Sequence, residues 1–190
     1  MEKILLHICC GPCAGYPVQE LQRQGYLVLG YYYNPNIHPY TEYLKRKESA
    51  EILARNQGFK IICPEEYDPV YYFNTIAFRE SQRCRFCYRI RLEQAAHIAQ
   101  KGQCQFYTTS LLVSKQQNHL LIKQIGEEVG HKYGVSFLYQ DFREGYGISR
   151  ELSLKYDLYR QGYCGCLYSE YERWAGKKNS STMQIHAPLK

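Results

Sequence analysis

No stretch of the 190-residue sequence approaches the roughly 18 apolar residues that a membrane-spanning helix needs. The amino end, MEKILLHICC, has no basic region followed by a long apolar run and a small-residue cleavage site. These absences argue against a membrane partner and a secretory leader, so the expected compartment is the reducing cytoplasm. No internal repeat is present. The 9 cysteines are odd in number, which argues against a fully paired disulfide framework. Acidic residues are in deficit, 18 against 24 Lys+Arg, and the net charge of +6 is a modest bias toward an anionic partner.

A chain of this length can bury a core without disulfide staples. Tyrosine is abundant, 20 of 190, and a basic, tyrosine-rich surface permits RNA binding without requiring it. Apolar runs at Lys3–Ile8, Tyr26–Tyr32, Phe59–Ile62, Gln105–Thr109 and Val135–Tyr139 predict five strands. Helical patterns lie between them: Ala14–Gln24 with Pro17 in its first turn, Thr41–Asn56, a segment opened by Asp68-Pro69, Arg89–Gln100, and Ser114 to about Lys132. Beyond the fifth strand, about Ser149–Arg160 and a short piece after Cys166 also read as helix. Such alternation predicts an α/β fold with a parallel sheet covered by helices on both faces, and a helical C-terminal part. One domain is expected over residues 1–175, with a flexible tail over 176–190. Cys9, Cys10, Thr108, Thr109, Ser110, Asp141, Phe142 and Arg143 all fall just past predicted strand ends, where sites of such folds gather.

The cysteines are grouped. Cys9, Cys10 and Cys13 share the first strand-to-helix turn, Cys84 and Cys87 form a CxxC, and Cys164 and Cys166 form a CxC. Cys63 and Cys104 stand alone and read as small apolar residues. The CC and CxxC pairs supply four thiolates from two segments, enough for a [4Fe-4S] cluster or a zinc site, and spacing does not decide between them. Cys10-Gly-Pro-Cys13 is also the thioredoxin tetrapeptide, so a dithiol oxidoreductase is a rival reading. Cys9 and the other paired cysteines are surplus to that mechanism. The CxC pair can close a strained, labile disulfide or provide two more metal ligands.

The segments HICCGPCAGYP (7–17), YYYNPNIHPYTEY (31–43), RCRFCYRIRLEQAA (83–96), TTSLLVSKQQN (108–118), DFREGYGISRELS (141–153) and YRQGYCGCLYS (159–169) together resemble the QueH-type epoxyqueuosine reductases of queuosine biosynthesis. The resemblance implies a Rossmann-like sheet similar to the adenine-nucleotide alpha-hydrolase-like proteins. Cysteines stand where those relatives cradle pyrophosphate, so no ATP site is expected. It further implies [4Fe-4S] ligands at Cys9, Cys10, Cys84 and Cys87, and a redox-active pair at Cys164 and Cys166. Cys13 would ligate an additional iron ion or shuttle protons and electrons. The substrate would be a tRNA carrying epoxyqueuosine in its anticodon loop, with an external electron donor.

Within that reading Asp141 and His7 are candidate proton donors by position, although an aspartate past a strand also suits a turn. Arg143, Arg150 and Arg160 are candidate RNA contacts. Tyr33, Tyr40 and Tyr163 are candidates for stacking on an unpaired base, and His38 for touching the nucleotide. The run Lys45-Arg46-Lys47-Glu48 reads as a solvated helix face. Two further rivals are a zinc-stabilised RNA-binding module without catalysis and a tRNA thiolation enzyme. The second lacks its expected SGGxDS-like phosphate loop.

Overall fold

A computed structural model of the chain describes residues 1–175; the expected tail at 176–190 lies outside the described residues. Five strands form one sheet: β1 (Lys3–His7), β2 (Leu27–Tyr31), β3 (Lys60–Ile62), β4 (Phe106–Thr109) and β5 (Ser136–Phe137). Their order is β3-β2-β1-β4-β5 and every pairing is parallel. β1 is central, and Ile4, Leu5 and Leu6 are fully buried. A strand covered on both faces must be apolar throughout, which is why KILLHI does not alternate. The edge strands are short, three and two residues, which leaves little unpaired backbone at the sheet's margins.

The helices are α1 (Gly11–Arg23), α2 (Tyr40–Gln57), α3 (Pro69–Ile76), α4 (Arg83–Lys101), α5 (His119–Tyr133), α6 (Tyr146–Lys155) and α7 (Leu167–Trp174). α1 packs against both α2 and α6, and α4 packs against α5 and β1. Asp68 caps α3 as expected, its carboxylate accepting from the Tyr71 amide at 2.9 Å. Left-handed glycines, Gly58 and Gly134, end α2 and α5.

Four boundaries differ from the sequence expectation. α1 starts at Gly11, so Pro17 sits inside the helix, where it deprives the Cys13 carbonyl of its i+4 donor. α4 starts at Arg83, which puts Cys84 and Cys87 on its first turns instead of in a connecting segment. α5 is capped by Asn118, not Ser114, because a 3-10 turn over Ser110–Val113 follows β4. α6 starts at Tyr146 and ends at Lys155, five residues short of Arg160.

Strand order reverses at β1, flanked by β2 and β4. A crevice opens there beyond the strands' carboxyl ends, and Cys9, Cys10 and Ser110 lie at this point. Gly11 lets α1 approach α2 closely: a Cβ there would lie 2.4 Å from the Ser49 carbonyl oxygen.

Candidate metal centre

The Sγ atoms of Cys9, Cys10 and Cys13 lie within 4.8 Å of one another, a donor set able to hold a metal ion. Cys9 leaves the end of β1, Cys10 is the N-cap of α1, and Cys13 is in its first turn. Helix N-termini favour negative charge, so this turn suits thiolates. Ser110, at the end of β4, receives the Cys9 amide at 3.0 Å and turns its hydroxyl to the Cys9 sulfur at 3.4 Å. The Gln161 amide donates to Cys10 Sγ at 3.0 Å and to Cys13 Sγ at 3.5 Å.

Three crowded thiols do not ionise alike. Hydrogen bonds from Cys10, then Cys13, hold the Cys9 thiol well below its ordinary value. Burial pushes Cys10 up, and hydrogen bonding with Cys10 and Cys9 pushes Cys13 up. One negative charge is therefore favoured at Cys9, and full ionisation of the triad requires a bound cation.

Cys84 and Cys87 do not join that triad. They neighbour Cys164 and Cys166, with Cys87 and Cys166 packed beside Tyr72, Ile76 and Ile90. All nine cysteines are free thiols. Cys164 is exposed and accepts from Gln117 Nε2 at 3.5 Å, whereas Cys166 is buried. Gly165 between them has φ +144°, and a Cβ there would lie 3.0 Å from Ile37, so the CxC turn needs glycine. A cleft of about 610 Å³ is lined by members of both groups, Cys9 and Cys13 from the first and Cys164 from the second, together with Gln161 and Tyr163. A smaller recess beside Cys13 is lined by Arg150 and Arg160.

Several sequence expectations need correction. Arg46 is not solvated: it is 1% exposed. Its Nε meets Glu42 at 2.7 Å, and its two Nη groups donate to the carbonyls of Cys164 and Tyr163 at 2.8 and 3.0 Å. Asp141 does turn work. It accepts from the Arg143 amide and guanidinium, which hold its carboxyl at about 2, so it carries no proton to give near neutrality. Arg143 is engaged in that pair on the surface. His7 is fully buried and burial lowers it to about 4. Its Nε2 faces the Tyr33 carbonyl at 3.1 Å and so must donate, while Nδ1 accepts from the Thr109 hydroxyl at 2.9 Å. Both nitrogens of a neutral ring are thereby used.

The aromatic candidates are more interior than expected. Tyr33 is half-buried and stacked on Tyr31, with centroids 6.0 Å apart. Tyr40 is exposed but leans on Tyr43 and Tyr67. The Tyr163 hydroxyl donates to the His38 carbonyl. The His38 ring is buried between Tyr72 and Phe73, where it reaches no solvent-borne nucleotide. Ser110 was placed by its position just past a strand end, whereas Gln161, Arg46 and Arg91 were not anticipated as site residues. Arg91 alone had a readable signal: Cys84, Cys87 and Arg91 are spaced to share one face of a helix.

The sequence profile described as "Epoxyqueuosine reductase QueH" matches residues 4–172. The protein of that name from Dehalococcoides mccartyi is 41% identical over 178 residues, covering 94% of this chain and 97% of the relative. The one from Thermotoga maritima is 32% identical over 182 residues, covering 91% and 93%. Among solved structures, the U34-tRNA thiolase NcsA from Methanococcus maripaludis, with its [4Fe-4S] cluster, superposes with a TM-score of 0.59 at 14% identity, over 90% of this chain and 63% of its own. A predicted subunit of tRNA methyltransferase from Methanocaldococcus jannaschii gives 0.52 at 15%, over 81% and 75%. These two likenesses speak for the Rossmann-like, adenine-nucleotide alpha-hydrolase-like fold. With its profile match spanning nearly all the described residues and relatives aligned over almost their whole length, the chain belongs to the epoxyqueuosine reductase QueH family of oxidoreductases.

Proposed function

We propose that this protein removes the epoxide oxygen of epoxyqueuosine in tRNA, giving queuosine, at a cysteine-held iron–sulfur centre in the cytoplasm. The observation that carries the reading is the Cys9–Cys10–Cys13 triad at the topological switch point, of which Cys9 and Cys13 line an open cleft together with Cys164. The family and its relatives' names supply the substrate.

The Cys9–Cys10–Cys13 triad supplies the soft, clustered thiols that iron–sulfur chemistry needs, and Cys84 and Cys87 at the start of α4, which lie outside that triad in this structure, would have to swing toward it to complete a four-thiolate set with Cys9 and Cys10. A buried guanidinium, Arg91, leaves its Nη2 without a protein partner among these thiols. When bound, a [4Fe-4S] cluster on those four cysteines supplies electrons singly, and an additional iron at Cys13 would supply Lewis acidity.

Removing the oxygen as water takes two electrons and two protons. Oxidation of the Cys164 and Cys166 thiols to a disulfide releases two of each, so the reaction balances, and an external electron donor restores the dithiol. Gly165, with the Arg46 guanidinium on the Tyr163 and Cys164 carbonyls, shapes the turn that carries this pair, with Cys164 in the cleft lining. Arg150 and Arg160 beside Cys13 are suited to RNA phosphates. Tyr40, exposed, and Tyr163, in the cleft lining, remain as stacking candidates.

The test is anaerobic reconstitution followed by iron and labile-sulfide analysis and nucleoside analysis of treated tRNA. A brown protein that converts epoxyqueuosine to queuosine supports the proposal. Colourless protein with stoichiometric zinc and no conversion overturns it.

A further inference from the structure

Two arginines are essentially buried, and they are treated differently by the fold. Arg46 meets the carboxylate of Glu42 and two carbonyls. Arg91 is 2% exposed and meets no carboxylate among the described residues. Its Nε donates to the Cys87 carbonyl at 3.1 Å, and its Nη2 is buried with no hydrogen-bond partner. A buried charge with neither counter-charge nor full hydrogen bonding is strongly unfavourable, so a position of this kind implies an anionic neighbour. The Tyr88 ring lies 5.9 Å from the guanidinium, and the groups whose charge reaches Arg91 are thiols from three segments, Cys87, Cys164 and Cys9, together with Tyr88. The His7 imidazole has both ring nitrogens engaged, with Thr109 and with the Tyr33 carbonyl.

We propose that Arg91 is the fixed counter-charge of the iron–sulfur centre and holds its reduction potential up. The proposal rests on the cluster reading above and adds a residue that acts through the cluster without touching substrate. A cluster on four thiolates is anionic and gains a further negative charge on reduction. A guanidinium in a poorly solvated pocket stabilises the reduced form more than the oxidised one. Arginine suits this task because it stays protonated at any working pH. Its place on α4 makes the coupling rigid: Arg91 lies one turn beyond Cys87 and two beyond Cys84 on the same helical face.

The test uses the full chain, reconstituted anaerobically as wild type, Arg91→Lys and Arg91→Gln. Iron and sulfide are counted, and midpoint potentials are read by spectroscopically monitored redox titration. Arg91→Gln should shift the potential to more negative values at unchanged iron content, and Arg91→Lys should restore most of the shift. Failure of Arg91→Gln to assemble a cluster that Arg91→Lys assembles fully also supports the proposal, because the ligands are identical and only charge differs. Potentials that are equal in all three, or more positive in Arg91→Gln, overturn it. So does a lysine variant that behaves like the glutamine one, whether in potential or in cluster loss. Wild-type protein that takes up no iron and sulfide overturns the cluster reading itself, a result separable from the others.

Discussion

At the scale of single residues, burial decides which polar groups can do chemistry. Cys164 and Cys166 are alike in sequence, but one faces the cleft and the other lies against Cys87 and Tyr72. Serine at either position is expected to leave iron content intact and to stop multiple turnover, as read by iron analysis beside a time course of queuosine formation. Loss of iron in either variant would make the pair metal ligands instead. His38 illustrates a structural histidine: neither ring nitrogen has a hydrogen-bond partner, and burial lowers it to about 4 from an ordinary 6.5. Between those values the unfolded chain binds a proton that the folded chain refuses. Stability should therefore fall as pH drops from about 6.5 toward about 4. His38→Phe, which can keep the ring contacts, should flatten this dependence in urea titrations at pH 7 and pH 5. It should not abolish it, because His7 is lowered for the same reason. A variant with the wild-type slope would show that His38 is not the titrating group.

At the scale of elements, α2 is more than a crossover between strands. Glu42, Arg46 and Ser49 fall on its buried side, and Glu42 also receives the Tyr159 hydroxyl at 2.6 Å. The helix thus clamps residues 159–164, up to the first cysteine of the CxC turn, through one buried ion pair. Arg46→Ala leaves Glu42 buried and uncompensated and should cost about 3–5 kcal/mol in unfolding free energy. Glu42→Gln combined with Arg46→Met removes both charges and should recover much of that loss. The same urea titrations measure both, and equal losses in the single and double variants would refute the clamp. In the double variant the Tyr163 and Cys164 carbonyls lose their donors, so turnover should stay impaired while stability returns. α4 carries comparable weight, since its first turns present Cys84 and Cys87 and its third presents Arg91.

At the scale of the whole molecule, the net charge of +6 and the arginines beside the cleft predict tRNA binding dominated by phosphates. Affinity should fall steeply between low and physiological salt, because each neutralised phosphate releases counterions. Filter-binding or fluorescence titration at several salt concentrations checks this, and a flat salt dependence would count against it. No helix among the described residues is long and apolar enough to cross a membrane. The five strands and their parallel pairing were legible in the sequence, whereas the meeting of Cys84 and Cys87 with Cys164 and Cys166 was not. A central strand must be apolar on both faces, but the one- and two-residue spacings of the cysteines say nothing about which pairs meet in space. Helix starts were less legible. Gly11-Pro12 and Arg83 begin α1 and α4 without a side-chain cap, so neither carries the usual signal. Only the tertiary structure decided that Arg46 faces inward within a run of charges, that Asp141 and His7 are committed to structural bonds, and that Gln161 reaches back to Cys10 and Cys13. Those outcomes depend on partners between 2 and 151 positions away along the chain. A local pattern records which face of an element can be buried; which groups meet there is set by how the elements pack.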